Sequence, residues 1–122
     1  MVNKKILLVD DSNTILLMER MILGREPYAL VTAGDGREAV AKALAERPDL
    51  ILMDVVMPQM DGFTACRELR AREETCRIPI IMVTTRGEAG NVEIGFESGC
   101  SDYVTKPING PELLAKIHNL LG

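Results

Sequence analysis

Five polar residues of this chain have the side-chain types needed to bind and transfer a phosphoryl group. They are Asp10, Asp11, Asp54, Thr84 and Lys106. An aspartate carboxylate can act as a nucleophile, and Mg²⁺ is typically held by one or two carboxylates together with waters or phosphate oxygens. A lysine adds a flexible positive charge suited to a phosphate, and a threonine adds a hydroxyl donor. Together these groups can position and stabilise a transferring phosphoryl group.

Each of these polar residues lies at or just beyond the end of an apolar run that predicts a buried β-strand. The clearest run begins at Leu50 and leads directly into Asp54, and Pro58 must end this strand near Met57 because proline cannot donate a ladder hydrogen bond. Ligands of open α/β sheets bind at the carboxyl ends of the strands. The five predicted strands cover residues 5–9, 28–33, 50–57, 78–83 and 102–105.

Helical segments separate these strands, with no linker and no internal repeat. This alternation predicts one α/β domain with a parallel sheet, helices on both faces and right-handed crossovers. Because the carboxyl ends of parallel strands share one edge, the three carboxylates, Thr84 and Lys106 are expected to converge there. Close carboxylates raise each other's pKa and cost stability, and a divalent cation with oxygen ligands removes that conflict.

Capping residues and apolar spacing predict the helices. Expected amino-terminal caps lie within residues 10–13 and at Asp35, Asp61 and Asn109. The residues predicted to face the core are Ile15, Met18 and Ile22; Ala39, Val40, Ala43 and Leu44; Phe63, Cys66 and Leu69; and Leu113, Ile117 and Leu120. The segment 86–99 is the weakest predicted helix because it contains four glycines, and its apolar anchors are expected to be Val92, Ile94 and Phe96.

The composition narrows the class of protein. The chain has 122 residues, 47% hydrophobic and only 3% aromatic, so one aliphatic core is expected. Its net charge of -4 argues against direct nucleic-acid binding, and no apolar run is long enough for a membrane span or a signal peptide. The three cysteines, Cys66, Cys76 and Cys100, are irregularly spaced and contain no CxxC pair. They predict unpaired thiols in a reducing cytosol.

A nucleotide-binding site is the competing interpretation of the same sheet edge. A dinucleotide site needs a G-x-G-x-x-G turn after the first strand, but the residues there, 10–14, include no glycine. No Walker A motif is present either. An acidic turn would repel a phosphate unless a metal ion bound first, which favours the metal-dependent interpretation.

Four motifs in this order and at these spacings resemble those of the receiver domain of two-component response regulators, the CheY-like family. They are Leu8–Ser12, Leu52–Gly62, Val83–Thr85 and Asp102–Pro107, and the resemblance spans essentially the whole chain. Residues 1–122 are therefore expected to form one receiver domain. We expect a doubly wound, flavodoxin-like fold with a five-stranded parallel sheet in the order 2-1-3-4-5 and five helices.

By this resemblance, Asp54 is the phospho-acceptor and takes its phosphoryl group from a phosphohistidine on a sensor histidine kinase or phosphotransfer protein. The resemblance implies that Asp11, Asp54 and the main-chain carbonyl of Val56 hold Mg²⁺. Asp10 would act mainly through water. No other cofactor is expected.

The resemblance also implies a conformational switch. Thr84 and Lys106 would contact the phosphoryl oxygens, and Tyr103 would rotate inward when Thr84 moves toward the phosphate. The surface of helix 4, strand 5 and helix 5 would then bind a downstream protein, and it is the candidate surface for a homodimer formed on phosphorylation. The Lys106–Pro107 bond is expected to be cis, as this family usually has it.

We therefore expect a cytoplasmic phospho-acceptor switch that catalyses only its own phosphorylation and dephosphorylation. Val56 and Arg86, which follow Asp54 and Thr84 by two residues, are expected to influence the lifetime of the phosphoaspartate. Two alternatives stay open. One is the receiver portion of a longer regulator with a DNA-binding or enzymatic output domain. The other is a metal-dependent phosphohydrolase with an Asp nucleophile, although the sequence lacks the cap or extra loops that such enzymes usually need.

Overall fold

Five strands alternate with five helices in the computed structural model, which describes residues 3–85 and 89–121, without the side chains of residues 85 and 89–91. The elements are β1 (Lys5–Val9), α1 (Asn13–Leu23), β2 (Ala29–Ala33), α2 (Gly36–Glu46), β3 (Leu50–Asp54), α3 (Gly62–Arg70), β4 (Ile80–Thr85), α4 (Ala89–Ser98), β5 (Asp102–Lys106) and α5 (Gly110–Leu121). All strand pairs are parallel, in the order β2-β1-β3-β4-β5. This confirms the predicted fold class and strand order.

The sheet has a hydrophobic core on each face because successive side chains of a strand point to opposite sides. The core against α1 and α5 contains Ile6, Leu8, Leu50, Leu52, Ile81, Val83 and Val104. The opposite core, against α2, α3 and α4, contains Leu7, Val9, Ile51, Met53, Ile80 and Met82. By the same alternation, Asp10, Asp54 and Lys106 lie on the α1 and α5 side at the carboxyl edge, whereas Thr84 and Tyr103 lie on the other side.

The predicted helix caps are confirmed by side-chain hydrogen bonds. Ser12 Oγ accepts from the backbone N–H of Ile15 at 3.3 Å, and Asn109 Oδ1 accepts from that of Glu112 at 2.9 Å. The carboxylates of Asp35 and Asp61 each accept a backbone hydrogen bond of 2.8 Å in the first turn of α2 and α3. Each cap satisfies one amide that the helix itself leaves without a partner. α1 therefore begins directly after the acidic pair at the end of β1.

Strand boundaries differ from the prediction where proline intervenes. β4 begins at Ile80 rather than at Ile78, because Pro79 has no N–H to donate to the ladder. β3 ends at Asp54, three residues before the predicted limit at Met57. Asp54 is therefore the last residue of the central strand, next to the loop that leads to α3.

The predicted core face of α1 is wrong at Met18, whereas Ile15 and Ile22 are half-buried and Ile22 packs against the core. Met18 is 37% exposed, whereas the fully buried residues of this helix are Glu19 and Leu23. Leu17 and Met21 are also exposed, at 58% and 71%. The apolar residues surround most of this helix, so their spacing does not determine which side meets the sheet.

Two of the three predicted apolar anchors of α4 are also wrong, whereas the third, Val92, is half-buried. Ile94 and Phe96 are 38% and 48% exposed, whereas Gly95 and Ser98 are buried. A Cβ atom on Gly95 would lie 3.3 Å from the sulfur of Cys100 and 3.6 Å from Cγ of Met82. Small residues face the sheet because α4 packs too closely for larger ones, and the large side chains lie outside.

Within the described ranges, we find no helix with the length and apolar character required to cross a membrane.

Candidate functional site

The carboxylates at the carboxyl edge of the sheet form a cluster that is suited to a cation. Asp10, Asp11 and Asp54 each offer one oxygen, and these oxygens lie within 4.8 Å of one another. Asp10 and Asp54 are buried, at 1% and 4% exposure, whereas Asp11 is exposed. Oδ1 of Asp10 accepts a hydrogen bond of 2.9 Å from the N–H of Ser12, but the buried Oδ2 of Asp10 has no hydrogen-bond partner in the part of the chain that the structure describes. The cluster is therefore open to solvent at Asp11, and Oδ2 of Asp10 is an oxygen that a ligand can contact.

Lys106 is the cation that the structure brings into this cluster. Its Nζ lies 3.0 Å from Oδ1 of Asp54 and 3.6 Å from Oδ2 of Asp10. The peptide bond that follows it, Lys106–Pro107, is cis, as predicted. Lys106 therefore joins the ends of three strands through charge.

Burial is the largest influence on the protonation of these groups. It raises the pKa of Asp54 above its ordinary value, and the charge of Asp10 adds to the rise while Lys106 opposes it. Burial also raises the pKa of Asp10, against the hydrogen bond from Ser12. For Lys106 burial acts to lower the pKa, but the hydrogen bond and charge of Asp54, with the charge of Asp10, outweigh it and the pKa is raised. The cluster therefore holds more negative charge than one lysine neutralises, which favours a further cation.

Thr84 places a hydroxyl beside the central strand. It follows Val83, the residue of β4 that pairs with Asp54, and it is only 2% exposed. Its Oγ1 is buried and has no hydrogen-bond partner among the described residues. A buried hydroxyl without a partner is costly, so this group is available to a ligand oxygen.

The loop between Asp54 and α3 folds tightly against the end of β3. The N–H of Gly62 donates to the carbonyl of Val55 at 2.8 Å, and any Cβ on Gly62 would collide with the carbonyl oxygen of Asp54. Gln59 has a positive φ of 68° in the same loop. Val56, beside Asp54, has a side chain that is 70% exposed. The backbone carbonyl of Val56 remains a predicted ligand of Mg²⁺. Arg86, the other residue expected to influence the phosphoaspartate lifetime, lies outside the described residues.

Tyr103 lies between α4 and α5. Its ring meets that of Phe96 edge to face, with centroids 6.0 Å apart and an interplanar angle of 89°. Nζ of Lys116 lies 4.7 Å from the centroid of the Tyr103 ring and donates to the Tyr103 carbonyl at 2.5 Å and to Asp102 at 3.3 Å. One edge-strand aromatic thus contacts the exposed Phe96 of α4 and the half-buried Lys116 of α5.

Sequence reasoning missed Glu19. This residue of α1 is fully buried, and neither carboxylate oxygen has a hydrogen-bond partner among the described residues. Burial raises the pKa of Glu19 to about 8, and the charges of Asp10 and Asp54 add to the rise while Lys106 opposes it. Glu19 lies four residues from both Ile15 and Leu23 and so shares their side of the helix, but the other apolar residues of α1 obscure this signal in the sequence.

Comparisons with known proteins agree on one family. Residues 6–118 match the family described as response regulator receiver domain. The chain is 41% identical over 119 residues to the alkaline phosphatase synthesis transcriptional regulatory protein PhoP of Bacillus subtilis, covering 98% of this chain and 49% of PhoP. It is 39% identical over 117 residues to the protein PilH of Pseudomonas aeruginosa, covering 96% of this chain and 97% of PilH. The chain thus spans about half the length of PhoP and nearly all of PilH.

One of the solved structures similar to this chain is also a receiver domain. The chain is similar to the receiver domain of a sensor histidine kinase from Pseudomonas aeruginosa PAO1, with 35% identity, a TM-score of 0.91 and 99% coverage of both chains. That structure has a magnesium ion coordinated in its active site cleft.

Proposed function

Because the chain belongs to the family of response regulator receiver domains, we propose that residues 1–122 form one such domain and accept a phosphoryl group on Asp54 in a Mg²⁺-dependent reaction. The donor is a phosphohistidine on a sensor histidine kinase or phosphotransfer protein. The observation that carries this proposal is the placement of Asp54: a buried carboxylate ends the central strand, beside two further carboxylates and 3.0 Å from the amine of Lys106. The role is signalling, with catalysis limited to the chain's own phosphorylation and dephosphorylation.

The donor set fits a magnesium ion. All the offered side-chain atoms are carboxylate oxygens, the ligands that Mg²⁺ prefers, and the buried Oδ2 of Asp10 lacks a hydrogen-bond partner within the described ranges. We assign the ion to Asp11, Asp54 and the carbonyl of Val56, with Asp10 acting through water. When bound, the ion supplies the positive charge that lets an anionic phosphoryl group approach three carboxylates.

The chemistry is a displacement at phosphorus. An oxygen of Asp54 forms a bond to phosphorus while the bond between phosphorus and the histidine nitrogen breaks, and the imidazole leaves with that electron pair. Lys106, which now pairs with Asp54, gains a charge-assisted hydrogen bond to a phosphoryl oxygen. The hydroxyl of Thr84, which has no hydrogen-bond partner among the described residues, donates to a second oxygen.

The proposed switch depends on which side of the sheet Thr84 and Tyr103 face. Thr84 and Tyr103 both face the α4 side, so a shift of Thr84 toward the phosphoryl group opens space that Tyr103 can enter. Tyr103 contacts Phe96 of α4 and Lys116 of α5, so its movement changes a surface formed by α4, β5 and α5. We propose this surface as the binding site of the downstream protein and of a second copy in a phosphorylated homodimer.

The variant Lys116→Met tests the switch. It removes the cation above the Tyr103 ring and the hydrogen bonds to Asp102 and the Tyr103 carbonyl. Since an exposed cation–π contact contributes about 0.5–1 kcal/mol, the inward population of Tyr103 in the unphosphorylated protein should rise about two- to fivefold. NMR of ring-labelled tyrosine measures this population.

Lys42→Met is the matched control for that experiment. Nζ of Lys42 also donates to a backbone carbonyl, that of Thr32, at 2.6 Å, but it lies at the opposite edge of the sheet. Unchanged Tyr103 signals in Lys116→Met, or equal changes in both variants, would show that Lys116 does not hold the ring.

The acceptor reaction is tested by intact mass. The chain is incubated with a small phosphodonor, with and without Mg²⁺, and the product is reduced with borohydride and mapped by peptide mass spectrometry. A single adduct that requires Mg²⁺ and maps to Asp54 supports the proposal. Bound Mg²⁺ without any adduct refutes phosphoryl acceptance, and steady turnover of an external phosphoester indicates a phosphohydrolase.

The relation to PhoP supports a second candidate function. The chain spans 49% of PhoP, a transcriptional regulatory protein, so it also fits the receiver portion of a longer regulator with a DNA-binding or enzymatic output domain. The length of the natural reading frame distinguishes this from a stand-alone receiver. In either case we place the chain in the cytoplasm, in agreement with its three free cysteines, Cys66, Cys76 and Cys100.

A further inference from the structure

Glu19 is a buried acid that the proposed phosphoryl transfer does not use. Its side chain is fully inaccessible, and both carboxylate oxygens lack a hydrogen-bond partner among the described residues. A carboxyl group in such a position normally costs stability, and apolar residues usually occupy the sheet side of a helix. An acid held there at a cost therefore points to a role.

The position of Glu19 relates it to the acidic site. α1 covers the sheet face on which Leu8 and Leu52 lie, and two residues further along the same strands, on that face, lie Asp10 and Asp54. Lys106 ends β5 on this side as well. Glu19 is buried on α1, near enough to the cluster for the charges of Asp10, Asp54 and Lys106 to act on it, but it has no hydrogen bond to any of them.

The charges around Glu19 come from three strands. Asp10 and Asp54 act on it from the ends of β1 and β3, and Lys106 acts from the end of β5. α5 also packs against α1, but its basic side chains have partners elsewhere: Lys116 pairs with Asp102, and His118 lies against Glu26.

We propose that Glu19 is a positioning residue of the cation site, whose buried carboxyl releases a proton when a divalent cation binds at Asp10, Asp11 and Asp54. This inference rests on the proposed function, because it needs that cation site. Glu19 acts through the field at the site and not as a ligand.

The direction of the coupling follows from charge. The free site is negative and favours the protonated form of Glu19, together with burial, so the acid holds its proton near neutral pH. A bound divalent cation reverses this field and favours the carboxylate. By linkage, the affinity for Mg²⁺ must then rise with pH through the range in which Glu19 titrates.

Isothermal titration calorimetry with MgCl₂ tests the proposal on the whole chain. Titrations at about pH 7, 8 and 9, in two buffers with different ionisation enthalpies, give the affinity and the number of protons released. For the wild type we expect proton release near pH 8 and an affinity that rises about fivefold across this range, the low end of typical coupling between sites. For Glu19→Gln, which cannot ionise, we expect the rise and the release to disappear.

Glu74→Gln is the control, because Glu74 is exposed and lies in the loop before β4, on the side of the sheet where the strands begin and away from the carboxylate cluster. It should behave as the wild type. Equal pH profiles and proton counts in the wild type and Glu19→Gln would overturn the role of Glu19 and leave the proposed function intact. Absence of Mg²⁺ binding in every variant would refute the metal site and this inference together.

If Glu19→Gln does not fold, Glu19→Leu serves as the variant that cannot ionise. The wild-type measurement is decisive without either: no proton released near pH 8, although Mg²⁺ binds, overturns the proposal.

Discussion

The variant Asp54→Asn is expected to acquire no phosphoryl group from a small phosphodonor under conditions in which the wild type is fully labelled. An amide oxygen carries no charge and is a poor nucleophile. Asp10, the other buried carboxylate beside Lys106 in the described part of the chain, lies 3.6 Å from its Nζ, against 3.0 Å for Asp54. Loss of a nucleophile typically lowers a rate by far more than about 10³-fold. Intact mass over time, with Mg²⁺ present, measures the effect.

Asp35→Asn is the matched control for this experiment. Asp35 caps α2 through a hydrogen bond to the N–H of Glu38, and asparagine caps a helix equally well, so the variant changes the same charge without changing the fold. Circular dichroism and Mg²⁺ titration of Asp54→Asn establish that the protein is folded and show what remains of the metal site. Labelling of Asp54→Asn at the wild-type rate would mean that another residue accepts the phosphoryl group.

The order of strands and helices could be predicted from local sequence patterns. Apolar runs that end in polar residues predicted β1, β3 and β4, and the side chains of Asp35, Asp61 and Asn109 cap the helices where their types and positions indicated. The convergence of Asp10, Asp54 and Lys106 then follows from parallel topology alone. Their chemical roles do not follow from topology, and they stay predictions until the labelling experiment is done.

The faces of α1 and α4 were not predictable from apolar spacing. On α4 the determining factor is the distance between backbone and sheet: Gly95 packs against Cys100 and Met82, so Ile94 and Phe96 must lie outside. Such close packing arises only when the helix and the sheet come together, and its only sign in the sequence is a glycine. On α1 the acid Glu19 faces the core, against the rule that buried positions are apolar.

The free energy of unfolding of Glu19→Leu is expected to exceed that of the wild type by about 3 kcal/mol or more at pH 7, and the difference should shrink toward acid pH. The pKa of Glu19 is raised from 4.5 to about 8 in the folded chain, chiefly by burial. Below pH 4.5 both states hold the proton, so the wild type loses nothing through ionisation. Between these two values the unfolded chain releases the proton while the folded chain keeps it, and each pH unit costs the wild type about 1.4 kcal/mol.

The wild-type stability that depends on Glu19 is therefore complete at acid pH and is lost as pH rises to about 8, where the loss levels off. Leucine has no such term, and it fills a layer already formed by Leu8, Leu52 and Leu23. Urea unfolding of the wild type, Glu19→Leu and Glu19→Gln at several pH values separates the two contributions. Both variants should diverge from the wild type with rising pH, but only leucine should retain an advantage at about pH 4.5, where glutamine and the protonated acid are both neutral polar groups. Parallel pH curves for the wild type and Glu19→Leu would mean that Glu19 is ionised in the folded chain at neutral pH, and the proton coupled to the cation site would then have no source.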